Sequence, residues 1–276
     1  MQPVSILIPT FNRLELLAKC LDALFATPID ERDEVIIWNN ASTDGTKQFL
    51  NRIHDNYKDT CQLKIIHNSE NIGLSAVNRG FKMMRNYFRM KIDDDVIKIP
   101  HFFKEKLINV FEEIPTAGYI AAELENDKLK LPQQFFINYE NPQIYKRENI
   151  NGIYLRLGDA SGGFVMTTED VLNDVGYPVD MQQDGIKYYN EDSEFSERCR
   201  QKNYVVGFLE GLKVYHAFGE KWNKPYEKDY IEKYVNWLSQ GGIKNRSRDE
   251  RKELLTAFSV SSEMADKILD VFNRVS

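Results

Sequence analysis

Asp93, Asp94 and Asp95 stand side by side directly after the strand-like run Phe88–Ile92. Adjacent carboxylates repel one another, so a chain keeps three together most readily when a cation joins them. An all-oxygen set with no His or Cys nearby in sequence suits Mg2+ or Mn2+ better than Zn2+. Those ions commonly hold substrate phosphates through one or two carboxylates and water. Asp is also frequent in solvated turns, and that reading stands beside the first. A second acidic pair, Glu191-Asp192, opens the helix-like stretch Ser193–Cys199. A carboxylate there either caps the helix or takes a proton from a hydroxyl. His216 ends a later strand-like run and reads either as a structural histidine or as a nitrogen ligand.

Such groups act together only if folded elements carry them to one place. In the first half, Val4–Ile8, Glu34–Trp38, Leu63–His67 and Phe88–Ile92 read as strands. Between them, Leu14, Leu17, Leu21, Leu24 and Phe25 recur at helical spacing, and helices are predicted over Thr46–Ile53 and Ser75–Asn86. Strands separated by helices form βαβ units with a parallel sheet. Right-handed crossovers put the strand C-termini on one edge, where ligands of open α/β sheets bind. Pro9-Thr10, Asn39–Asp44, His67–Gly73 and Asp93–Asp95 all fall on that edge.

The second half is less regular. Leu124–Asn151 has no clear period; the apolar run Ile153–Leu157 and Gly162-Gly163-Phe164-Val165-Met166 follow, then the polar stretch Asp180–Asn190, and Val205–Leu209 and Leu212–His216 read as strands. From Phe218 onward the pattern is helical. Gly241-Gly242 marks a break, and Ser247 with Glu250 forms a capping box. Trp222, Tyr226, Tyr230 and Tyr234 share one helix face, which reads first as packing and otherwise as sugar stacking or a membrane-interface stripe.

The chain has 276 residues, 42% hydrophobic and 28% charged, which excludes collagen-like, disordered and disulfide-scaffold classes. With 36 Lys and Arg against 42 Asp and Glu the net charge is −6. Such a chain is a poor generic binder of nucleic acid, whose phosphates need a basic surplus. Cys20, Cys61 and Cys199 form no Cys-x-x-Cys pair and are expected to be reduced thiols in a cytoplasmic protein. No run of about 18 apolar residues predicts a membrane span, and the N-terminus lacks a basic leader.

Order adds what single motifs lack. Pro9-Thr10-Phe11-Asn12-Arg13 is followed by Asn39-Asn40-Ala41-Ser42-Thr43-Asp44-Gly45-Thr46, then by Asn71-Ile72-Gly73-Leu74-Ser75-Ala76-Val77-Asn78-Arg79-Gly80. Asp93-Asp94-Asp95, Gly162-Gly163-Phe164 and Glu191-Asp192-Ser193-Glu194-Phe195 complete the series. Each piece is weak alone, but in this order and spacing they resemble the family-two glycosyltransferases of the GT-A fold, over about Val4 to His216. The resemblance implies an α/β fold with a Rossmann-like mixed, mainly parallel sheet flanked by helices. Residues 1–217 would form the catalytic domain, with 1–96 as nucleotide-binding half and 97–217 as acceptor-binding half. Residues 218–276 would form a helical extension.

The same resemblance implies roles. Pro9, Thr10, Asn12, Arg13, Asn39, Asp44, Asn71, Gly73, Ala76, Asn78, Asp93, Asp94, Gly162 and Gly163 would line the nucleotide-sugar site. Asp95, with His216, would hold Mn2+ or Mg2+, and Asp192, beside Glu191, would be the catalytic base. The implied reaction is metal-dependent, inverting transfer of one sugar from a nucleotide-sugar to a hydroxyl of a glycan, lipid-linked or other small acceptor. A UDP-sugar is favoured, with dTDP, GDP and CDP left open. The chain would work in the cytoplasm, with peripheral association at the inner face of a membrane permitted. Asn39 departs from the family, which usually has a base-reading Asp there; an amide donates as well as accepts. Asn39 also reads as a plain turn cap. Two other readings stay open: a sugar-phosphate nucleotidyltransferase, whose Gly-rich N-terminal signature is missing, and a non-catalytic glycan-binding or assembly protein on the same scaffold.

Overall fold

The computed structural model describes residues 2–125, 145–160, 163–179, 191–217, 235, 239, 247–257 and 262–275. Gly162, the loop 180–190, the Gly241-Gly242 break and the aromatic series Trp222, Tyr226, Tyr230 and Tyr234 lie outside these residues. The chain divides into two compact units, Met1–Asn126 with Tyr139–Phe218, and Asp127–Asn138 with Gly219–Ser276.

In the first unit, β1 (Val4–Thr10), β2 (Glu34–Asn39), β3 (Gln62–His67) and β4 (Phe88–Ile92) alternate with helices α1 (Leu14–Phe25), α2 (Thr46–Tyr57) and α3 (Ser75–Met83). β1, β2 and β4 are buried along almost their whole length, as expected of parallel strands covered on both faces. There follow β5 (Val96–Lys98), α4 (Phe103–Glu113), β6 (Ala117–Glu125), β7 (Lys146–Ile150), β8 (Ile153–Leu157), β9 (Phe164–Thr168), α5 (Glu169–Val175), α6 (Glu191–Gln201) and β10 (Val205–His216). All ten strands form one sheet in the order β3-β2-β1-β4-β9-β6-β10-β8-β7, with β5 paired to β10. The sheet is mixed. β1 to β4 run parallel, β9 runs against both β4 and β6, and β10 returns parallel to β6. The expected fold class is the one observed.

Strand alternation sends Val4, Ile6 and Ile8 to one face, into a core with Leu17, Leu21 and Leu24 of α1 and Phe103 and Leu107 of α4. Leu7 points to the other face, where α3 packs. α3 comes so close that a Cβ on Gly80 would lie 2.4 Å from Leu7 Cδ2. Two strands predicted near the end of this unit are one. β10 shifts register on β6 between Leu209 and Lys213, and Gly211 within the bulge has φ +79°. The bulge carries the strand on to β5 and ends it at His216.

In the second unit, α7 (Arg248–Ala257) pairs with α8 (Ser262–Val275). The capping box forms in both directions: Ser247 N donates to Glu250 Oε2 at 2.7 Å, and Glu250 N to Ser247 Oγ at 3.2 Å. Leu255, Ile268, Leu269 and Phe272 are buried, and Lys252 pairs with Asp266 at 2.7 Å.

Gly80→Ala sets two effects against each other. Helix propensity favours Ala by about 1 kcal/mol. Overpacking against Leu7 costs about 1–3 kcal/mol, so a net loss of up to about 2 kcal/mol is expected in urea unfolding. A variant more stable than wild type would show that α3 does not sit this close to β1.

Candidate active site

Thr10, Asn39 and His67 are register partners across β1, β2 and β3, so their side chains form a row on one face at the C-terminal edge. The loops beyond this row are tied by side chains bonded to backbone. Asn12, at φ 52°, donates its amide N–H to Ser42 Oγ and accepts from Thr43 N at 2.6 Å. Asp44 accepts from Leu14 N at the start of α1 and from Thr46 Oγ1 at the start of α2. It caps two helices at once, satisfying amides that the helices cannot bond themselves. Asn40 donates to Asn71 Oδ1 and Gly73 O and accepts from Asn68 Nδ2 and Ile72 N. Asn71 Oδ1 also accepts from Gly73 N. Ala76 and Asn78 face inward on α3, where Asn78 Nδ2 donates to Pro178 O. Asn12, Asp44, Asn71, Gly73, Ala76 and Asn78 therefore build the walls of the edge, and their side-chain bonds go to the protein itself. Pro9 is half-buried opposite Trp38, which belongs to the core.

Beside that row lies the acidic turn between β4 and β5. Asp94 is buried, accepting from Thr10 Oγ1 at 2.7 Å and pairing with Arg13 at 2.8 Å. Arg13 reaches Asp95 with its other terminal nitrogen at 2.5 Å. Arg13 is nearly enclosed, so it serves as the counter-ion of this turn. Burial and the neighbouring Asp95 push the Asp94 carboxyl up, against the pull of Arg13. Burial would raise Asp95 as well, but His216 and then Arg13 prevail and hold it below the usual carboxylate range. Asp93 differs from both: its side chain is 31% exposed against 2% for Asp95. Its amide donates to Gly163 O at 2.9 Å, fixing the turn to the start of β9.

His216 arrives from the end of β10. Its Nε2 lies 2.9 Å from Asp95 Oδ1 and 3.9 Å from Asp93 Oδ2. Ligand atoms of Asp93, Asp95 and His216 all lie within 4.8 Å of one another. Asp95 Oδ1 is buried, and its close partner among the described residues is His216 Nε2 at 2.9 Å, a contact that a cation between the two would replace. Two carboxylates and one imidazole suit Mn2+ or Mg2+, so the donor set fits a divalent ion of this class.

Glu191 and Asp192 begin α6 next to this cluster. Tyr119 of β6 is buried, packs edge-to-face on Phe195 at 4.9 Å and donates Oη to Asp192 Oδ1 at 3.2 Å. Lys91 of β4 joins the two acidic groups: Nζ lies 3.0 Å from Asp93 Oδ1 and 3.6 Å from Glu191 Oε1. Burial alone would favour losing its proton, yet Asp93, Asp192 and Glu191 hold the Lys91 pKa above the ordinary lysine value. Glu191 is pushed up to about 8, by burial first and then by Asp192, with Lys91 opposing. At neutral pH Glu191 thus keeps a proton. Motif reading missed Lys91 and Tyr119, and placed His67 on the ligand edge without a role. For Lys91 a signal existed: a lysine inside an otherwise buried strand, two residues before an aspartate. For Tyr119 none did.

A raised carboxyl stabilises the fold fully below its unfolded value, here 4.5, and loses that contribution as pH rises through about 8. Glu191→Gln cannot ionise, so its unfolding free energy should fall less steeply across this window, by up to about 1.4 kcal/mol per pH unit. Urea unfolding at several pH values measures the slope, and an unchanged slope would refute the assignment.

The fold has solved counterparts. A mannosyltransferase, PcManGT from Pyrobaculum calidifontis, in complex with GDP-Man and Mn2+, is 16% identical, with 100% of this chain and 76% of that one covered at TM-score 0.59. S. aureus TarS 1-349 in complex with UDP-GlcNAc is 17% identical, with 94% of this chain and 72% of that one covered at TM-score 0.57. Among curated proteins no sequence matches. The model of the family described as glycosyl transferase family 2 matches residues 5–176, more than half of the chain. The chain belongs to glycosyl transferase family 2 and is a glycosyltransferase of the GT-A fold.

Proposed function

We propose that this enzyme transfers one sugar, with inversion and dependence on Mn2+ or Mg2+, from a nucleotide-sugar to a hydroxyl of a glycan, lipid-linked or other small acceptor. The observation that carries this reading is Lys91. Its one ammonium touches both Asp93 of the three-ligand cluster and Glu191 of the pair that opens α6. Leaving-group chemistry and hydroxyl chemistry therefore have adjoining sites. Support also comes from the neighbours, one holding GDP-Man with Mn2+ and another UDP-GlcNAc.

In this reading Asp93, Asp95 and His216 hold the cation, which when bound supplies Lewis-acid charge against the departing diphosphate. Asp192 accepts the acceptor hydroxyl's proton as its oxygen bonds the anomeric carbon, opposite the breaking bond to the nucleoside diphosphate. Tyr119 orients Asp192 through its hydrogen bond. Glu191, protonated and beside Lys91, adds no second charge that would compete for the proton. Thr10 and Arg13 act indirectly, by fixing Asp94 and Asp95. The nucleotide is assigned to residues 1–96 and the acceptor to residues 97–217, with 218–276 as an extension. The three free, buried cysteines support a reducing, cytoplasmic setting. No helix among the described residues is long and apolar enough to cross a membrane.

Asp95→Asn and His216→Ala should each weaken Mn2+-dependent nucleotide-sugar binding by at least about tenfold in calorimetry. Asp192→Asn should leave donor affinity near wild type and lower transfer by about 10²–10⁴-fold. Unchanged metal dependence in the first two variants would overturn the cation assignment. Wild-type turnover in the third would overturn the base.

A further inference from the structure

Asn39 and His67 form a pair that the reaction above does not use. Asn39 Oδ1 accepts from Ser42 N at 2.9 Å, which fixes which end of the amide is oxygen. Its Nδ2 is then the atom 3.0 Å from His67 Nδ1. An amide nitrogen only donates, so Nδ1 must be the bare, accepting nitrogen, and in the neutral ring the proton sits on Nε2. Burial, with Lys47 nearby, lowers the His67 pKa and keeps the ring neutral. Among the described residues no protein acceptor engages Nε2. The ring is half-buried at the end of β3, in the row Thr10, Asn39, His67 that leads outward from Asp94. His67 is two strand spacings from Thr10, about 10 Å. The reading above, which assigns the nucleotide to residues 1–96, extends the base along this row.

We propose that His67, its tautomer set by Asn39, determines base specificity by presenting Nε2–H as a donor to the edge of the nucleobase. The proposal rests on the nucleotide-sugar reading above and deepens it. A donor at this point selects a carbonyl oxygen or an unprotonated ring nitrogen. Placed at ring position 3 it favours cytosine, whose N3 accepts, over uracil, whose N3 carries a proton. Asn39→Asp reverses the polarity: a carboxylate accepts from His67 Nδ1–H, moves the proton of the neutral ring to that nitrogen and leaves Nε2 an acceptor.

Two measurements on the full chain test this. In long-range 15N–1H spectra, with the His67 signals identified by their loss in His67→Ala, wild type should show Nε2 protonated and Nδ1 bare. Asn39→Asp should protonate Nδ1. Wild type protonated on Nδ1, or no change in Asn39→Asp, overturns the relay. Calorimetry with UDP, dTDP, CDP and GDP in Mn2+ gives the second readout. The ratio of CDP to UDP affinity should fall by about tenfold in His67→Ala, the worth of one hydrogen bond, and in Asn39→Asp. An unchanged ratio in His67→Ala, whose half-exposed site tolerates truncation, overturns the specificity role while leaving the nucleotide reading intact. Failure of wild type to bind any of the four overturns both.

Discussion

The Arg13 guanidinium spans Asp94 and Asp95 at 2.8 and 2.5 Å, and the acidic edge of the sheet holds together because it does. Asp93, Asp94, Asp95, Glu191 and Asp192 converge on one place, with Arg13 and Lys91 as their permanent counter-ions. Removing one partner from such a buried pair costs about 3–5 kcal/mol, since the other charge is left uncompensated. Arg13 sits at the entry to α1, held there by the Asn12 and Asp44 bonds to the neighbouring loop. The loop network thus aims the cation that neutralises the buried carboxylates. The more exposed Asp93, paired with Lys91, and the second oxygen of Asp95 face His216.

The second cation divides the labour. Lys91 lies between Asp93 and Glu191, so it lowers the cost of gathering two acidic groups without merging them. Glu191, raised by burial, and Asp192, which accepts from Tyr119, are two carboxyls made different by their surroundings, the condition under which one can accept a proton while the other stays neutral. Sugar transfer needs this asymmetry on the hydroxyl side and a fixed positive charge on the diphosphate side. A chain with net charge −6 meets the second need locally, by concentrating carboxylates that bind a cation.

The nucleotide-binding part of the fold was legible because each βαβ unit carries its own period and its own polar turn. β1 to β4 and the motif ends at Thr10, Asn39 and Asp93 follow from alternation and punctuation alone. Three features were hidden. The β10 bulge joins what read as two strands, and only sheet register reveals it. Lys91 and Tyr119 reach Glu191 and Asp192 across about a hundred and about seventy residues, a proximity no local spacing encodes. The roles inside the motifs were also blurred. Asn12, Asp44 and Asn71 have the residue types of a binding loop, yet their oxygens hold backbone amides. Asx side chains serve both purposes, so sequence cannot separate them. Asn39 shows the same doubling: it caps the turn through Ser42 N and orients His67 with its other end.

The central claim is that Asp93, Asp95 and His216 form the socket of a divalent ion that carries the diphosphate. Manganese anomalous-difference density, from crystals grown with Mn2+ and a nucleoside diphosphate, measures this most directly. The account predicts a single strong peak bounded by those three side chains, with the diphosphate against it. A diphosphate bound at this edge with no manganese peak, or a peak away from these residues, would contradict it.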